Sequence, residues 1–243
     1  MLKILFLLAN AAKLGPLLKV GGTMLLSIGA YAFVFGVWYA VGFVLLLLVH
    51  EMGHYVVARR LGMNVGMPTF IPFLGAWIEL KDQPLSVEQE AKIAFAGPFY
   101  GTLGAVLALA LALNQGSALL MALAYAGFFL NLFNLIPITP FDGGRIVSIL
   151  SPRVWLIGLP ILLGVFMLIP SPMFLIILVL LAPTIFGAVR SAWRREVPAH
   201  NPRYYEVPLE ARIRYGSYYV LLLVFLCVMT YLTHQQVEAL RGA

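Results

Sequence analysis

Long apolar runs with few charged residues dominate the chain and predict membrane-spanning helices. No charged residue lies between Lys19 and His50, and the stretch 20–58 would measure about 58 Å as one continuous helix. This is nearly twice the roughly 30 Å of a hydrocarbon core, so two spans are predicted, with a turn between Gly36 and Gly42. Further spans are predicted at about 93–113, 118–135, 154–169, 173–189 and 215–233. The pattern indicates an all-α polytopic membrane protein with six to seven transmembrane helices.

A shorter segment interrupted by prolines separates the second and third predicted spans. Pro68, Pro72 and Gly75 break the apolar runs 69–71 and 76–78, a pattern that excludes a spanning helix and favours a β-hairpin. Irregular backbone at membrane depth is tolerated only where protein or a water-filled cavity satisfies its amides. A re-entrant or interfacial β-hairpin at this place would therefore mark a cavity.

The composition excludes a water-soluble fold. Of the 243 residues, 62% are hydrophobic and 11% are charged, whereas soluble domains have about 45–50% apolar and about 25% charged residues. We expect one membrane-embedded domain over residues 1–243, with a core at about 20–150 and additional C-terminal spans at about 154–233. The single cysteine, Cys227, excludes an intrachain disulfide and a cysteine-rich metal site.

The net charge of +6 reflects membrane topology rather than nucleic-acid binding. The basic residues are scattered beside apolar runs and form no patch interleaved with aromatic residues, so we expect a lipid bilayer and no nucleic acid as partner. With a cytoplasmic N-terminus, every lysine and arginine except Arg241 falls on the same side of the membrane. This predicts a multi-pass integral protein of a prokaryotic inner membrane.

The segment His50-Glu51-Met52-Gly53-His54 is the main cluster of ionisable residues within the apolar runs. On a helix the two histidines lie one turn apart, so both imidazoles can reach a single ion, while Glu51 flanks the same face. Zinc sites of this kind take a third protein ligand and hold a water whose pKa falls to about 7, and a nearby glutamate can accept its proton. The alternative is that the histidines only mark the headgroup level beside Arg59 and Arg60. Three ionisable side chains near membrane depth favour the metal.

A third ligand has to come from elsewhere in the chain, and the candidates are Glu79, Asp142, His200 and His234. Glu79 has the surroundings of a solvated turn, His200 lies in a polar loop, and His234 follows the last span at the opposite face. Asp142 is favoured, because prolines break the helix in the segment 134–145 and glycines there let the backbone approach closely. Its alternative role is that of a helix N-cap.

These two segments resemble the hallmarks of the site-2 protease family of intramembrane zinc metalloproteases. The family has an HExxH at the end of a span and a later Asn-Leu-x-Pro…Asp-Gly segment, and the likeness extends over about residues 45–149. The resemblance implies that His50, His54 and Asp142 bind one Zn²⁺ ion and that Glu51 is the catalytic base. It also implies hydrolysis of a peptide bond in a transmembrane protein substrate.

Four further residues are candidates for substrate binding. Asn131 and Asn134 share one helical face, and amides within a span hydrogen-bond either a neighbouring helix or a substrate backbone. Both interpretations stay open for Asn131, whereas the family motif favours a substrate contact for Asn134. The hairpin edge, with Gly75 and Ala76, offers a place where an extended substrate can pair, unless the segment is only a connecting loop.

One position departs from the family pattern. Family members often have an asparagine three residues after the proline of Ala96-Gly97-Pro98, whereas this chain has Gly101. A polar substrate contact is therefore not expected at this position. Together with Gly97 and Gly104, it predicts a small-residue face for close helix packing.

The sequence as a whole predicts an intramembrane zinc endopeptidase. Because His54 lies five residues, about 7.5 Å of helix, before Arg59, the active site is expected near the cytoplasmic face. The alternatives are a membrane metal carrier that uses the same histidines and a catalytically silent protein that binds membrane segments. Transport usually needs ionisable groups along a path to both faces, which the other predicted spans lack.

Overall fold

Eight α-helices and one small sheet form the part of the chain that the computed structural model describes, which comprises residues 2–168, 171–194, 196 and 201–242. A 3₁₀ turn at Pro152–Val154 precedes the sixth helix. In chain order the elements are α1 (Leu2–Phe35), α2 (Val37–Arg60), β1 (Thr69–Ile71), β2 (Gly75–Trp77), α3 (Val87–Gln115), α4 (Ala118–Asn134), α5 (Asp142–Val147), α6 (Trp155–Leu168), α7 (Pro172–Arg194) and α8 (Leu209–Gly242).

Five of the described helices are long and apolar enough to cross a membrane. They are Leu18–Phe35 within α1, all of α2 and α3, Phe174–Arg194 within α7, and α8. The helix α4 and the segment Pro152–Leu168 are apolar but shorter. The predicted mostly helical membrane architecture is therefore confirmed.

Glycine and serine residues mark several of the helix boundaries. Gly36 has a φ of +86° and separates α1 from α2, within the range where a turn was expected. Gly116 ends α3 in the left-handed conformation, which an L side chain rarely adopts. The side chain of Ser117 then caps α4 by accepting a hydrogen bond from the amide of Leu120. The connection between α3 and α4 is thus only two residues long.

The helices α2, α3 and α4 form the centre of the fold. Helix α3 packs against both α2 and α4, and α8 covers the outer side of α4. Small side chains make this close packing possible, since Ala94, Ala105 and Ala124 are fully buried beside Phe128. The central helices present their inner faces to one another, so polar groups on those faces are shielded from lipid.

A two-stranded antiparallel hairpin lies between α2 and α3 in the chain, with Phe70 opposite Ala76. It is attached to α1 through two side chains: the hydroxyl of Tyr31 accepts a hydrogen bond from the amide of Phe73 at 3.1 Å, and Thr23 Oγ1 accepts one from the amide of Phe70 at 3.4 Å. Phe73 has a φ of +66°, which is strained for a residue with a side chain. The hairpin loop is therefore held in place by α1.

Candidate metal centre

Three side chains from two distant parts of the chain meet at one point. Nε2 of His50 and Nε2 of His54 each lie 3.2 Å from Oδ2 of Asp142, and the two Nε2 atoms are 3.2 Å apart. All three residues are buried. Among the described residues they form the group of ligand-type side chains that is close enough to hold a metal ion.

Local backbone structure explains why these atoms converge. The two histidines are one turn apart in α2, and Asp142 begins the short helix α5. The segment before α5 folds tightly onto it: a Cβ at Gly143 would lie 2.1 Å from the carbonyl oxygen of Leu135, and one at Gly144 would lie 2.2 Å from the carbonyl carbon of Ile138. Only glycine permits this approach.

Each imidazole makes a hydrogen bond through Nδ1, and this bond determines whether Nε2, the nitrogen next to Asp142, carries a proton. Nδ1 of His54 donates to the carbonyl oxygen of Ile93 at 2.8 Å, because a carbonyl oxygen can only accept. Nδ1 of His50 lies 2.8 Å from Oδ1 of Asn131. With a proton on each Nδ1, both neutral rings present the lone pair of Nε2 to the carboxylate.

The geometry of this group fits zinc. Tetrahedral zinc binds histidine nitrogen and carboxylate oxygen at about 2.0–2.1 Å, so neighbouring ligand atoms are about 3.3 Å apart. The three separations of 3.2 Å match that spacing. Two nitrogen lone pairs and a carboxylate oxygen packed together in an apolar fold also require a cation to offset their repulsion. His50, His54 and Asp142 can therefore supply three ligands of one zinc ion.

Glu51 lies beside these three residues in a shared cavity. The cavity has a volume of about 160 Å³ and is lined by all four side chains. Glu51 is 6% exposed, so its carboxylate is shielded from lipid but reaches the space in front of the metal group. A carboxylate therefore lines the same cavity as the three ligand-type side chains.

The helix α3 provides space for one of the histidines. A Cβ at Gly97 would lie 2.1 Å from Nε2 of His54, and one at Gly53 would lie 2.4 Å from the carbonyl oxygen of Ala96. Both glycines therefore allow α2 and α3 to approach closely at the site. The predicted small-residue face of α3 thus has a second use, since it accommodates a ligand side chain as well as a neighbouring helix.

The residues predicted to bind substrate occupy different positions. Asn134 and Ala76 line the cavity, and Gly75 begins β2, the strand that contains Ala76. Asn131 is 1% exposed, and its amide group contacts His50 and the backbone of Gly127. A substrate contact by Asn131 stays a prediction, and the contacts that the structure gives it are with the metal group and its own helix.

Two of the other candidates for the third ligand, Glu79 and His234, are described by the structure and do not belong to the group. Glu79 belongs to the segment after the hairpin and lies beside Gly66. His234 contacts the ring of Tyr125. His200 lies outside the described residues.

Arg145 is a charged residue of the cavity that was not identified from the sequence as part of the site. Arg145, one turn after Asp142 in α5, lines the cavity and donates from Nε to Oε1 of Glu90 at 3.1 Å. The hydroxyl of Tyr204 donates to the other oxygen of Glu90. Burial and the charge of Glu90 raise the pKa of Tyr204, so the hydroxyl keeps the proton that it donates. The Asp-Gly-Gly-Arg run was the available signal, but only folding pairs Arg145 with α3.

Comparison with known proteins assigns the family. The sequence profile of peptidase family M50 matches residues 38–125. A protein of Methanocaldococcus jannaschii that carries the name zinc metalloprotease MJ0611 is 32% identical over 137 residues, which cover 46% of this chain and 70% of that protein. The zinc metalloprotease MJ0392 of the same organism is 33% identical over 126 residues, covering 48% of this chain and 36% of that protein.

One further relative and one solved structure are also similar to this chain in part. A Mycobacterium tuberculosis protein named as the zinc metalloprotease Rip3 is 38% identical over 134 residues, covering 50% of this chain and 34% of that protein. The chain thus spans about a third of the length of Rip3 and of MJ0392. The solved site-2 protease from Methanocaldococcus jannaschii matches with a TM-score of 0.46 and 22% identity, covering 72% of this chain and 89% of that one.

The chain belongs to peptidase family M50, because it covers 70% of MJ0611 at 32% identity and matches the family profile. The predicted resemblance to the site-2 proteases is therefore confirmed. The relatives are named as zinc metalloproteases, which agrees with the predicted class, and His50, His54 and Asp142 form a group that can hold the predicted zinc ion. Together with the apolar helices, the family assignment identifies an integral membrane protein.

Proposed function

We propose that the chain is an intramembrane zinc endopeptidase that cleaves a peptide bond in or near the transmembrane segment of a membrane-protein substrate. The observation that carries this proposal is the convergence of His50, His54 and Asp142 at 3.2 Å, with Glu51 lining the same cavity. In this proposal the three residues are the zinc ligands and Glu51 is the catalytic base. Zinc, when bound, supplies a Lewis acid that makes water more acidic and polarises a peptide carbonyl.

Glu51 has the position that proton transfer in peptide hydrolysis requires. Its carboxylate takes a proton from the attacking water and then passes a proton to the nitrogen of the leaving amine. One water molecule is thereby added across the peptide bond, which yields a carboxylate and an amine. The burial of Glu51 and its place in the same cavity as the three proposed ligands support this role.

Substrate binding is assigned to the cavity wall formed by β2 and the end of α4. A transmembrane helix has all its amides paired, so the scissile segment has to unwind before water can reach a carbonyl. The strand β2, with Gly75 and Ala76, offers backbone groups to an extended segment. Asn134 lines the same cavity and, through its amide, contacts the substrate backbone.

The orientation follows from charge. The two arginines at the end of α2, Arg59 and Arg60, are exposed one to two turns beyond His54. With these residues at a cytoplasmic surface, the N-terminus is cytoplasmic and the metal centre lies near that face. We place the protein in a prokaryotic inner membrane, with the catalytic core at about 20–150.

The number of membrane crossings is part of this proposal. Adding one or both of the shorter apolar helices α4 and α6 to the five longer ones gives six to seven spans. The hairpin then enters or borders the membrane beside the metal centre. The C-terminal spans at about 154–233 belong to the same single domain of residues 1–243.

The replacement Glu51→Gln tests this function. The purified chain and the variant are reconstituted in liposomes with a single-span test substrate, and both cleavage and bound zinc are measured. We expect the variant to retain zinc and to lose cleavage. A metal carrier would instead keep zinc transport into the liposomes without cleaving the substrate, and cleavage at the normal rate by Glu51→Gln would disprove the assigned base.

A further inference from the structure

We propose that Asn131 is a positioning residue that orients the zinc ligand His50, and that Gly101 provides the space for it. This inference rests on the proposed zinc site and adds to it the contact between Asn131 and His50. The proposal concerns how the ligand is held, so it can be tested on metal binding alone.

The amide of Asn131 is fixed in one orientation. Its nitrogen donates to the carbonyl oxygen of Gly127, one turn earlier in α4, at 2.7 Å. The amide oxygen is therefore the atom that faces Nδ1 of His50 at 2.8 Å. Because an amide oxygen can only accept, it retains the proton on Nδ1 and leaves the lone pair on Nε2. That nitrogen is the atom 3.2 Å from the carboxylate of Asp142.

Because both residues are buried, loss of this hydrogen bond should be costly. Asn131 is 1% exposed and His50 is 3% exposed, so water does not replace the hydrogen bond if the amide is removed. A buried donor without a partner carries its full desolvation cost. The imidazole of His50 would then rotate or change its protonated nitrogen, and both changes misdirect the ligand atom.

Gly101 on α3 is the reason that the amide fits. A Cβ at this position would lie 2.2 Å from Oδ1 and 2.8 Å from Nδ2 of Asn131. Any side chain at position 101 would therefore displace the amide from His50. The glycine that departs from the family pattern and the asparagine on α4 are thus two parts of one arrangement.

His54 offers an internal comparison within the same site. Its Nδ1 donates to the backbone carbonyl of Ile93, a group that no side-chain substitution removes. Only His50 depends on a side chain for its orientation. Substitution at position 131 should consequently affect one ligand and leave the other in place.

The test compares two replacements of similar size, Asn131→Leu and Asn131→Asp. Zinc affinity of the purified full chain is measured by competition with a chelator, with zinc as the only added metal. Leucine removes the acceptor, and we expect a loss of about 10- to 100-fold in affinity. Aspartate retains an acceptor oxygen toward Nδ1 but loses the donor to the carbonyl oxygen of Gly127, so we expect a smaller loss of affinity than with leucine, which lacks both groups. Equal losses in both variants would overturn the proposal, since the acceptor would then be irrelevant.

Two controls separate this inference from the zinc site itself. Asn114→Leu changes the same residue type at an exposed position near the end of α3, and its zinc affinity should equal that of the unchanged chain. His50→Ala should lose zinc. If His50→Ala loses zinc and Asn131→Leu does not, the positioning role is wrong and the site stands; if His50→Ala binds zinc normally, the proposed function fails as well.

Gly101→Ala tests the same contact from the opposite helix and serves where Asn131→Leu does not fold. Its new Cβ should displace the amide and lower zinc affinity, although Asn131 and all three ligands are retained. Unchanged affinity in this variant would contradict the role assigned to Asn131.

Discussion

Gly97 of α3 leaves the space that the imidazole of His54 occupies, since a Cβ at position 97 would lie 2.1 Å from Nε2. The replacement Gly97→Ala should therefore expel the ligand while leaving α3 helical, because alanine favours a helix. We expect zinc affinity to fall by more than about 100-fold. Loss of a group that only orients a ligand usually lowers metal affinity by about 10- to 100-fold, and here the ligand itself is displaced. Chelator competition on the purified chain measures it.

Gly104→Ala is the matched control for that variant. Gly104 is on the same helix and faces α2, but its Cβ would meet side-chain carbons of Val49 and Leu46 at 3.3–3.4 Å. These methyl groups can move slightly, so zinc affinity should stay unchanged. Equal effects of the two replacements would show that α2 and α3 tolerate no added methyl group and that His54 has no special need for space.

The hydroxyl of Tyr31 should matter for cleavage but not for zinc. In Tyr31→Phe the part-buried amide of Phe73 loses its acceptor at 3.1 Å, and leaving it unpaired costs about 1 kcal/mol, the lower end of the range for a buried group. The hairpin, whose strand β2 borders the cavity, then loses one of its two attachments to α1. We expect kcat/KM for a single-span substrate to fall by about tenfold, which corresponds to about 1.4 kcal/mol, with zinc content unchanged.

Tyr231→Phe provides the comparison for this prediction. Tyr231 lies on α8 and is 63% exposed, so loss of its hydroxyl should leave cleavage at the original rate. If Tyr31→Phe also cleaved at that rate, the hairpin would not depend on its contact with α1.

The pair Arg145–Glu90 should contribute to stability by fixing α5, the helix that begins at Asp142. The charged atoms are 3.1 Å apart, and both side chains are 24% exposed. A double-mutant cycle with Arg145→Met and Glu90→Gln, followed by chemical unfolding, should give a coupling free energy of about 1–3 kcal/mol.

The pair Arg241–Glu238 serves as the reference, because its atoms are 3.0 Å apart but its side chains are 74% and 51% exposed. Such a pair should couple by less than about 0.5 kcal/mol. Coupling of the same size in both pairs would mean that the position of Arg145 beside the cavity adds nothing to its interaction.

Much of the site was predictable because its chemistry is encoded in short segments. The spacing of His50 and His54 follows from helix periodicity, and the prolines and glycines before Asp142 indicate a tight backbone turn. The hairpin was likewise predictable from Pro68 and Pro72. These features depend on local conformational preference, so the sequence contains enough information to predict them.

The remaining contacts depend on how whole helices pack. Asn131 meets His50 because α4 has one particular rotation relative to α2, and the amide fits only beside Gly101 on a third helix. The pairing of Arg145 with Glu90 likewise joins residues 55 positions apart. Helix periodicity assigns each residue to a face but does not decide which faces meet, and this is why the partner of Asn131 stayed open.

The most direct test of the central claim is the zinc content of the purified chain, compared with that of Asp142→Ala. Three ligands from two distant segments are proposed to hold one ion, so we expect one zinc per chain and a large loss when the carboxylate is removed. His50 and His54 remain in that variant, but two ligands bind zinc much more weakly than three. A full complement of zinc in Asp142→Ala, or none in the unchanged chain, would contradict the account.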